Sequence, residues 1–144
     1  MGKNLDCFNE KFKTSKLKIH ETDFWIWSLR PHQATLGSGI LSLKRECRTF
    51  GELKKEEYCD LDNIIKKIEE ILKLRFNYDV INYLMLMMVD KHVHFHVIPR
   101  YRDSIDMFDI IWKDAAFPAP PILAGDISDD KTLNEILEYI KKGK

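Results

Sequence analysis

The apolar residues of the chain first indicate one long helix. Within residues 54–75 they recur at three- and four-residue spacing, which places them along a single stripe. Lysine and glutamate side chains fill the opposite side. The stripe consists of Leu61, Ile64, Ile65, Ile68, Ile71 and Leu72. We therefore expect an amphipathic helix that packs on a sheet.

Two apolar segments before this helix predict a pair of strands. Residues 23–29 (DFWIWSL) and 39–45 (GILSLKR) are rich in aromatic and β-branched side chains. Pro31, Gly37 and Gly39 mark the segment between them as a loop. The pattern favours an antiparallel hairpin with a long connection.

Two further segments after the helix predict a second pair. Residues 79–88 (DVINYLMLMM) are almost continuously apolar, which is typical of a central strand, and residues 92–98 (HVHFHVI) alternate. Residues 89–91 between them predict a tight turn. We expect Pro99 to end the second strand, because proline lacks a backbone donor.

The two ends of the chain have weaker patterns. Residues 1–20 are polar, so we expect a loose or edge-like N-terminal segment. Residues 101–144 predict a loop-rich tail whose final helix is capped by Ser128 or Asp129. The buried stripe of that helix consists of Leu133, Ile136, Leu137 and Ile140. We interpret residues 1–144 as a single domain.

Composition narrows the class of protein. The chain has 23 Lys and Arg against 23 Asp and Glu, which gives no reason to expect nucleic acid or a membrane surface as a partner. Its three cysteines form no CxxC pair, which favours reduced thiols in a cytoplasmic protein. The N-terminus lacks the apolar core of a signal peptide, and no apolar segment reaches the length of a membrane span.

Three of the five histidines stand at alternate positions in KHVHFHVIPR, residues 91–100. On a strand, His92, His94 and His96 would share one face, with neighbours about 6.5–7 Å apart. Val93 and Phe95 would point to the opposite face and the core.

Three interpretations of this row are open. The histidines could simply face solvent, although Lys, Thr, Glu or Ser would be more usual there. They could bind a metal with His32 as the best distant ligand, although the outer two lie about 13 Å apart, a poor match to tetrahedral zinc. A neutral imidazole is also a nucleophile that can form a covalent phosphoryl or nucleotidyl intermediate, while a neighbouring histidine binds the phosphate.

Residues 92–98 resemble the signature of the histidine triad superfamily, in which three histidines alternate with apolar residues. All seven positions agree, and Pro99-Arg100 continues as in many members. The segment LSLKRECRTFGELKKEE is similar to the family's strand, basic turn and start of the long helix, so the resemblance covers roughly residues 23–100. The spacing from Asn82 to His94 resembles the bacterial diadenosine tetraphosphate hydrolase-like branch.

The resemblance implies both a fold and an activity. The fold is α+β, with an antiparallel sheet of about five strands, one long amphipathic helix and a short C-terminal helix. The activity is that of a nucleotide hydrolase or nucleotidyl transferase, acting on dinucleoside polyphosphates or nucleoside phosphoramidates through a covalent nucleotidyl-histidine.

The resemblance also implies roles for individual residues. His94 matches the nucleophile, and His96 matches the contact to the scissile phosphate. His92 matches the residue that supports the geometry of the site, and it is a second candidate for binding the phosphoryl oxygens. Asn82 matches a position near the ligand on the preceding strand.

Several positions depart from the family pattern. Ser38 stands where many members have a histidine, and it cannot become a cation. Met87 and Met88 occupy the stretch where many members have Asn, Gln or Ser, and a thioether donates nothing, so backbone amides would have to stabilise charge. Arg30 replaces the expected ribose-binding Asn, so Arg30, His32, Gln33 and Ser38 become the candidate substrate-binding residues beside Asn82.

These departures keep alternatives open. One is a catalytically weak nucleotide-binding protein, and a less favoured one is a histidine-rich metal-binding protein. The expected partner is a small-molecule nucleotide, and the resemblance implies a homodimer. The sequence specifies no cofactor and leaves open a requirement for a divalent cation such as Mg²⁺.

Overall fold

The structure, a computed structural model, describes residues 2–142. Met1 and residues 143 and 144, at the ends of the predicted segments 1–20 and 101–144, lie outside the described residues. The elements in chain order are α1 (Lys3–Phe12), β1 (Lys18–Glu21), β2 (Trp25–Leu29), β3 (Gly39–Leu43), a 3₁₀ turn (Phe50–Glu52), α2 (Lys55–Phe76), β4 (Val80–Leu84), β5 (His94–Arg100), β6 (Ile105–Met107), β7 (Ile110–Trp112) and α3 (Asp130–Lys141).

Five strands form one antiparallel sheet in the order β1-β2-β3-β5-β4. β2 and β3 pair from Trp25 opposite Leu43 to Leu29 opposite Gly39, so the predicted hairpin with a long connection is confirmed. β6 and β7 form a separate two-stranded sheet. The α+β class, the five-stranded sheet, the long helix α2 and the short C-terminal helix α3 are all confirmed.

The main core lies on the face of the sheet that packs against α2 and α3. Trp25, Trp27 and Val97 from the strands are buried in it. The predicted helix stripes supply the other side, with the fully or nearly buried residues Ile64, Ile68, Ile71, Leu72, Leu133, Ile136, Leu137 and Ile140. Asp129 is the residue that caps α3, since its side chain accepts a hydrogen bond from Thr132 N. Within residues 2–142, no helix is both long and apolar enough to cross a membrane.

The N-terminal segment differs from the expectation of a loose chain. Residues 3–12 form α1, which buries Leu5, Phe8 and Phe12. Phe8 and Phe12 form a small second cluster with Ile40 of β3 on the face opposite α2. β1 is an edge strand, so the edge-like expectation applies to residues 18–21 only.

The connection between β4 and β5 is longer than the predicted tight turn. β4 ends at Leu84, and Met85 to Val93 follow as an irregular loop. Met87 has a φ of 53°, a left-handed backbone that cannot continue a strand. The apolar run therefore predicted a strand that was too long at its C-terminal end.

Pro99 does not end β5, which runs to Arg100. The carbonyl of Arg100 accepts from Asp79 N on the β4 side, so Pro99 faces the β3 side of the strand. The ladder with β3 stops at Val97 opposite Gly39, and beyond it the Pro99 carbonyl accepts from Thr35 Oγ1. The missing N–H therefore breaks no bond to β3.

A buried ion pair ties the C-terminal tail to the sheet. The Arg100 guanidinium donates to both carboxylate oxygens of Asp114, at 2.6 and 3.1 Å, and to the side chain of Asn82 at 2.9 Å. The side chains of Arg100 and Asp114 are 4% and 3% exposed. Removing one member would leave the other charge buried without its partner.

We expect Asp114→Ala to lower the free energy of unfolding by about 3–5 kcal/mol, because the Arg100 charge loses its carboxylate. Urea denaturation followed by circular dichroism measures this change. Asp62→Ala is the matched control, since Asp62 pairs with Lys66 on the exposed surface of α2. The control should lose less than about 1 kcal/mol. Equal losses in the two variants would contradict the assignment.

Candidate active site

The middle histidine of the row has a defined orientation. His94 and His96 lie on β5, whereas His92 precedes the strand. His94 Nδ1 lies 2.5 Å from the carbonyl oxygen of His92. A carbonyl only accepts, so His94 carries its proton on Nδ1 and has a lone pair on Nε2. No described residue bonds to that Nε2.

The ring of His92 is engaged at both nitrogens. Its Nδ1 accepts from Cys47 N at 3.4 Å, and its Nε2 donates to the Leu43 carbonyl at 2.7 Å. The side chain is fully buried. His92 therefore cannot also bind phosphoryl oxygens, which was one of the two roles expected for it. It instead fixes the segment whose carbonyl orients His94.

His96 has the opposite tautomer from His94. Its Nδ1 accepts a hydrogen bond from Arg30 Nε at 3.2 Å. The remaining nitrogen, Nε2, must then carry the proton of the neutral ring. The rings of His94 and His96 are 5.1 Å apart between centroids. The pair thus presents an acceptor and a donor side by side.

Burial keeps all three histidines neutral. Desolvation lowers the pKa of His92 and of His94 from the ordinary value. For His96, burial acts together with the positive charge of Arg30 and with His94, and the pKa falls to about 3. Near neutral pH, the His94 ring is therefore uncharged and keeps its lone pair on Nε2.

Helix α1 packs two aromatic side chains against the histidines. The Phe8 ring lies 5.0 Å from the His92 ring and 4.9 Å from the His94 ring, between centroids. The Phe12 ring lies 6.1 Å from His94 and 6.3 Å from His96. This packing of α1 on the histidines was not predicted from the sequence. The spacing of Leu5, Phe8 and Phe12 would have revealed it, since three- and four-residue steps place all three on one face of a helix.

Three polar contacts attach α1 to the loops around the site. Glu46 accepts from Leu5 N at 2.9 Å in the first turn of the helix. Asn4 donates to the Lys91 carbonyl at 3.3 Å. Lys11 Nζ lies 2.9 Å from both carboxylate oxygens of Asp90. The helix is thereby joined to the β4–β5 loop that leads into the histidines.

A cavity of about 360 Å³ opens beside His94 and His96. This size lies at the lower end of the range for small-molecule sites. Its polar lining includes Lys11, Arg30, His32 and Asp90. The apolar lining consists of Phe12, Pro31, Leu86, Met87, Met88, Val89, Leu123, Ala124, Gly125 and Ile127. The cavity thus combines a polar floor with an apolar wall.

Two of the candidate substrate-binding residues line this cavity. Arg30 follows β2 and contacts His96, as described above. His32 Nδ1 lies 2.7 Å from the Asp126 carbonyl, so the proton is on Nδ1 and Nε2 can accept. The His32 ring packs against Gly125, where an added Cβ would lie 2.4 Å from the ring. A side chain at residue 125 would therefore require this ring to move.

The other three candidates do not line the cavity. Asn82 on β4 accepts from Arg100. Ser38 Oγ is buried and donates to the Thr35 carbonyl. Gln33 donates to the carbonyls of Arg30 and Ser38 and accepts from Gly37 N, where a φ of 87° favours glycine. Gln33 and Ser38 hold the β2–β3 loop in shape, and Asn82 holds Arg100.

Met87 and Met88, which stand where many family members have Asn, Gln or Ser, lie on the apolar side of the cavity. Met88 is 78% exposed, so its thioether is at the mouth of the cavity. Met87 is half-buried. Neither side chain can donate a hydrogen bond, and both give the cavity an apolar surface.

The histidine row does not assemble a metal-binding cluster. Residues 2–142 contain no group of three or more His, Cys, Asp or Glu side chains placed around one point. The engagement of both His92 nitrogens explains part of this, because a ligand histidine needs a free nitrogen. His32, the distant ligand considered above, binds the Asp126 carbonyl through Nδ1.

Comparison with known families identifies a domain match. Residues 40–103 match the family described as HIT domain. The matched span contains all of β3 except Gly39, together with α2, β4 and the three histidines, and it is under half of the chain. No curated protein matches the chain.

Several solved structures share the fold. A hypothetical histidine triad nucleotide-binding protein from Sulfolobus tokodaii has a TM-score of 0.72 at 14% identity, over 99% of this chain and 91% of that chain. A Hit-like protein involved in cell-cycle regulation from Bartonella henselae has a TM-score of 0.68 at 19% identity, over 89% and 86%. A HIT family protein from Bacillus anthracis has a TM-score of 0.53 at 26% identity, over 58% and 63%.

Residues 40–103 are thus similar to a HIT domain, and the chain shares its fold with HIT-like and histidine triad proteins. The likeness to these solved structures concerns the fold, and the family match is confined to residues 40–103.

The histidine pKa values predict how stability depends on pH. Between about pH 6.5 and the lower folded-state values, the unfolded chain binds protons that the folded chain does not. The free energy of unfolding should therefore fall as the pH is lowered from about 7.5 to about 5, by up to ~1.4 kcal/mol per pH unit for each histidine.

Urea denaturation across this range measures the slope. His96→Asn should have a shallower slope than wild type, because one buried imidazole no longer takes up a proton on unfolding. Wild-type and variant curves that run parallel would show that His96 titrates normally in the folded protein.

Proposed function

We propose that the protein is a nucleotide hydrolase or nucleotidyl transferase that uses His94 as its nucleophile. The observation that supports this most is the hydrogen bond from His94 Nδ1 to the His92 carbonyl. It leaves the Nε2 lone pair on a ring that lines the cavity. This is the nitrogen a covalent mechanism requires.

The proposed reaction has two displacements. In the first, His94 Nε2 forms a bond to the α-phosphorus of a nucleotide, and the bond from phosphorus to the leaving group breaks with its electron pair. In the second, a water oxygen attacks the same phosphorus, and the P–N bond breaks so that Nε2 regains its lone pair. Water loses a proton to solvent, and a nucleoside monophosphate leaves. Another acceptor in place of water makes the reaction a transfer.

His96 and His92 contribute in different ways to this scheme. The His96 Nε2–H is a neutral donor beside the nucleophile, suited to a phosphoryl oxygen or to the leaving group. His92 acts through His94, because its carbonyl orients the ring. We therefore count His92 as a positioning residue.

The substrate class follows from the family likeness and from the cavity. The resemblance to the diadenosine tetraphosphate hydrolase-like branch favours dinucleoside polyphosphates or nucleoside phosphoramidates. A cavity of about 360 Å³ has room for about one nucleotide-sized group, with the apolar wall facing a base. The leaving group would then extend towards solvent. A catalytically weak nucleotide-binding protein is the alternative, since Ser38 and Asn82 lie outside the cavity.

The test compares wild type, His94→Ala and His20→Ala on diadenosine tetraphosphate and adenosine phosphoramidate, each with and without Mg²⁺. We expect His94→Ala to lose about a thousandfold or more in rate, because no other group supplies the nucleophile. His20 lies on the edge strand β1, so its variant should retain wild-type activity. Acid quenching and mass spectrometry should find an adenylyl group on the peptide that contains His94.

Two other outcomes would redirect the assignment. Wild type that turns over no faster than His94→Ala, while both bind AMP, would support the nucleotide-binding alternative. One equivalent of zinc per chain, with activity lost on chelation, would support a metal site instead.

A further inference from the structure

Arg30 is a buried cation at the floor of the cavity. It is 8% exposed and follows the last residue of β2. Its Nε donates to His96 Nδ1 at 3.2 Å, its Nη1 to the His32 carbonyl at 2.9 Å, and its Nη2 to the Leu123 carbonyl at 3.1 Å. All three acceptors are neutral. The guanidinium therefore joins the β2–β3 loop, β5 and the C-terminal tail.

No carboxylate compensates this charge within residues 2–142. The described ion pairs leave Arg30 out, and the acidic residue of the cavity, Asp90, is already paired with Lys11 at 2.9 Å. A buried arginine normally has a carboxylate or phosphate partner, because an isolated charge is costly to desolvate. Burial lowers the pKa of Arg30, but arginine stays protonated in proteins.

The Arg30 guanidinium can donate further hydrogen bonds. Arginine carries five N–H donors in a planar fork, and the three bonds above use three of them. One proton on Nη1 and one on Nη2 have no described acceptor. Arg30 lines the cavity, so a ligand oxygen can reach the guanidinium. The fork shape matches phosphate better than it matches a ribose hydroxyl.

Arg30 also determines the tautomer of His96. A guanidinium donates and never accepts, so His96 Nδ1 must hold a lone pair towards it. The proton of the neutral ring is then confined to Nε2. Without Arg30, either tautomer would be open to His96, and the donor beside His94 would be present only part of the time.

We propose that Arg30 is the anion-binding residue of the cavity and the positioning residue of His96. It takes a phosphoryl oxygen through its unused N–H groups and keeps the His96 Nε2–H directed for the same phosphoryl group. The proposal rests on the proposed function in one respect, namely that the cavity receives a nucleotide phosphate. This phosphate-binding role differs from the ribose contact expected of the Asn in whose place Arg30 stands.

The binding arm of the test uses AMP and adenosine as probes in isothermal titration calorimetry. Arg30→Gln should weaken AMP about ten- to hundredfold, since a charged hydrogen bond is lost, and should leave adenosine unchanged. Arg30→Lys restores the charge and should recover part of the AMP affinity. Unchanged AMP affinity in Arg30→Gln, or an equal loss for adenosine, would overturn the anion-binding role.

The positioning arm uses long-range ¹H–¹⁵N NMR of the histidine rings. Arg30→Met should raise the titration midpoint of His96 and populate its Nδ1–H tautomer, because the donor and the charge are both removed. The charged and titratable groups that act on His96 are Arg30, His94, Asp90 and Lys11. Lys11→Met is the matched control, since it removes a cation that makes no bond to His96. It should shift the midpoint less and leave the tautomer alone.

A His96 ring with the same tautomer and midpoint in folded Arg30→Met as in wild type would overturn the positioning role. If Arg30→Met does not fold, the midpoint of His96 is read in Arg30→Gln, which also removes the charge. Neither arm requires turnover. An inactive wild type that still shows both effects would refute the proposed reaction and leave the role of Arg30 standing.

Discussion

The hydrogen bond from His94 Nδ1 to the His92 carbonyl is the constraint on which the candidate site depends. It fixes the proton on one nitrogen and the lone pair on the other. The bond has a defined direction because His92 is itself fixed, by Cys47 N and by the Leu43 carbonyl. Both partners belong to β3 and the turn after it. The pairing of β3 with β5 therefore sets the orientation of His94, and a one-residue slip would turn it towards the core.

Burial determines which side chains of the site carry a charge. Helix α1 covers the histidines with Phe8 and Phe12, and the lost hydration makes a charged imidazole costly. The neutral rings leave Arg30 as the cation that no described carboxylate compensates. In a cavity with an apolar wall, one such charge acts strongly on an anionic group. A phosphoryl group with one negative charge would match this combination, in which the proposed nucleophile His94 and the donor His96 are neutral and Arg30 supplies one positive charge.

The sequence predicted the elements whose signal is local and repeated. The stripe of Ile64, Ile68 and Ile71 identified α2, and the alternation around His94 identified the face that holds the site. It underestimated α1, since the polar residues of that helix obscured a three-residue apolar stripe. The sequence did not predict the hydrogen-bond partners of the polar residues around the site. Asn82 bonds Arg100 and Gln33 bonds its own loop, because the contacts of a polar side chain depend on neighbours that no local pattern specifies. Leu123, which accepts from Arg30, is 93 residues away in the chain.

The tautomer of His94 is the most direct test of this account. Two-bond ¹H–¹⁵N correlations on uniformly ¹⁵N-labelled protein, near neutral pH and without ligand, identify which ring nitrogen of each histidine is protonated. The account predicts a proton on Nδ1 of His94 and on Nε2 of His92. A proton on Nε2 of His94 would remove the lone pair from the position where the nucleophile is required, and would contradict the proposed role of this residue.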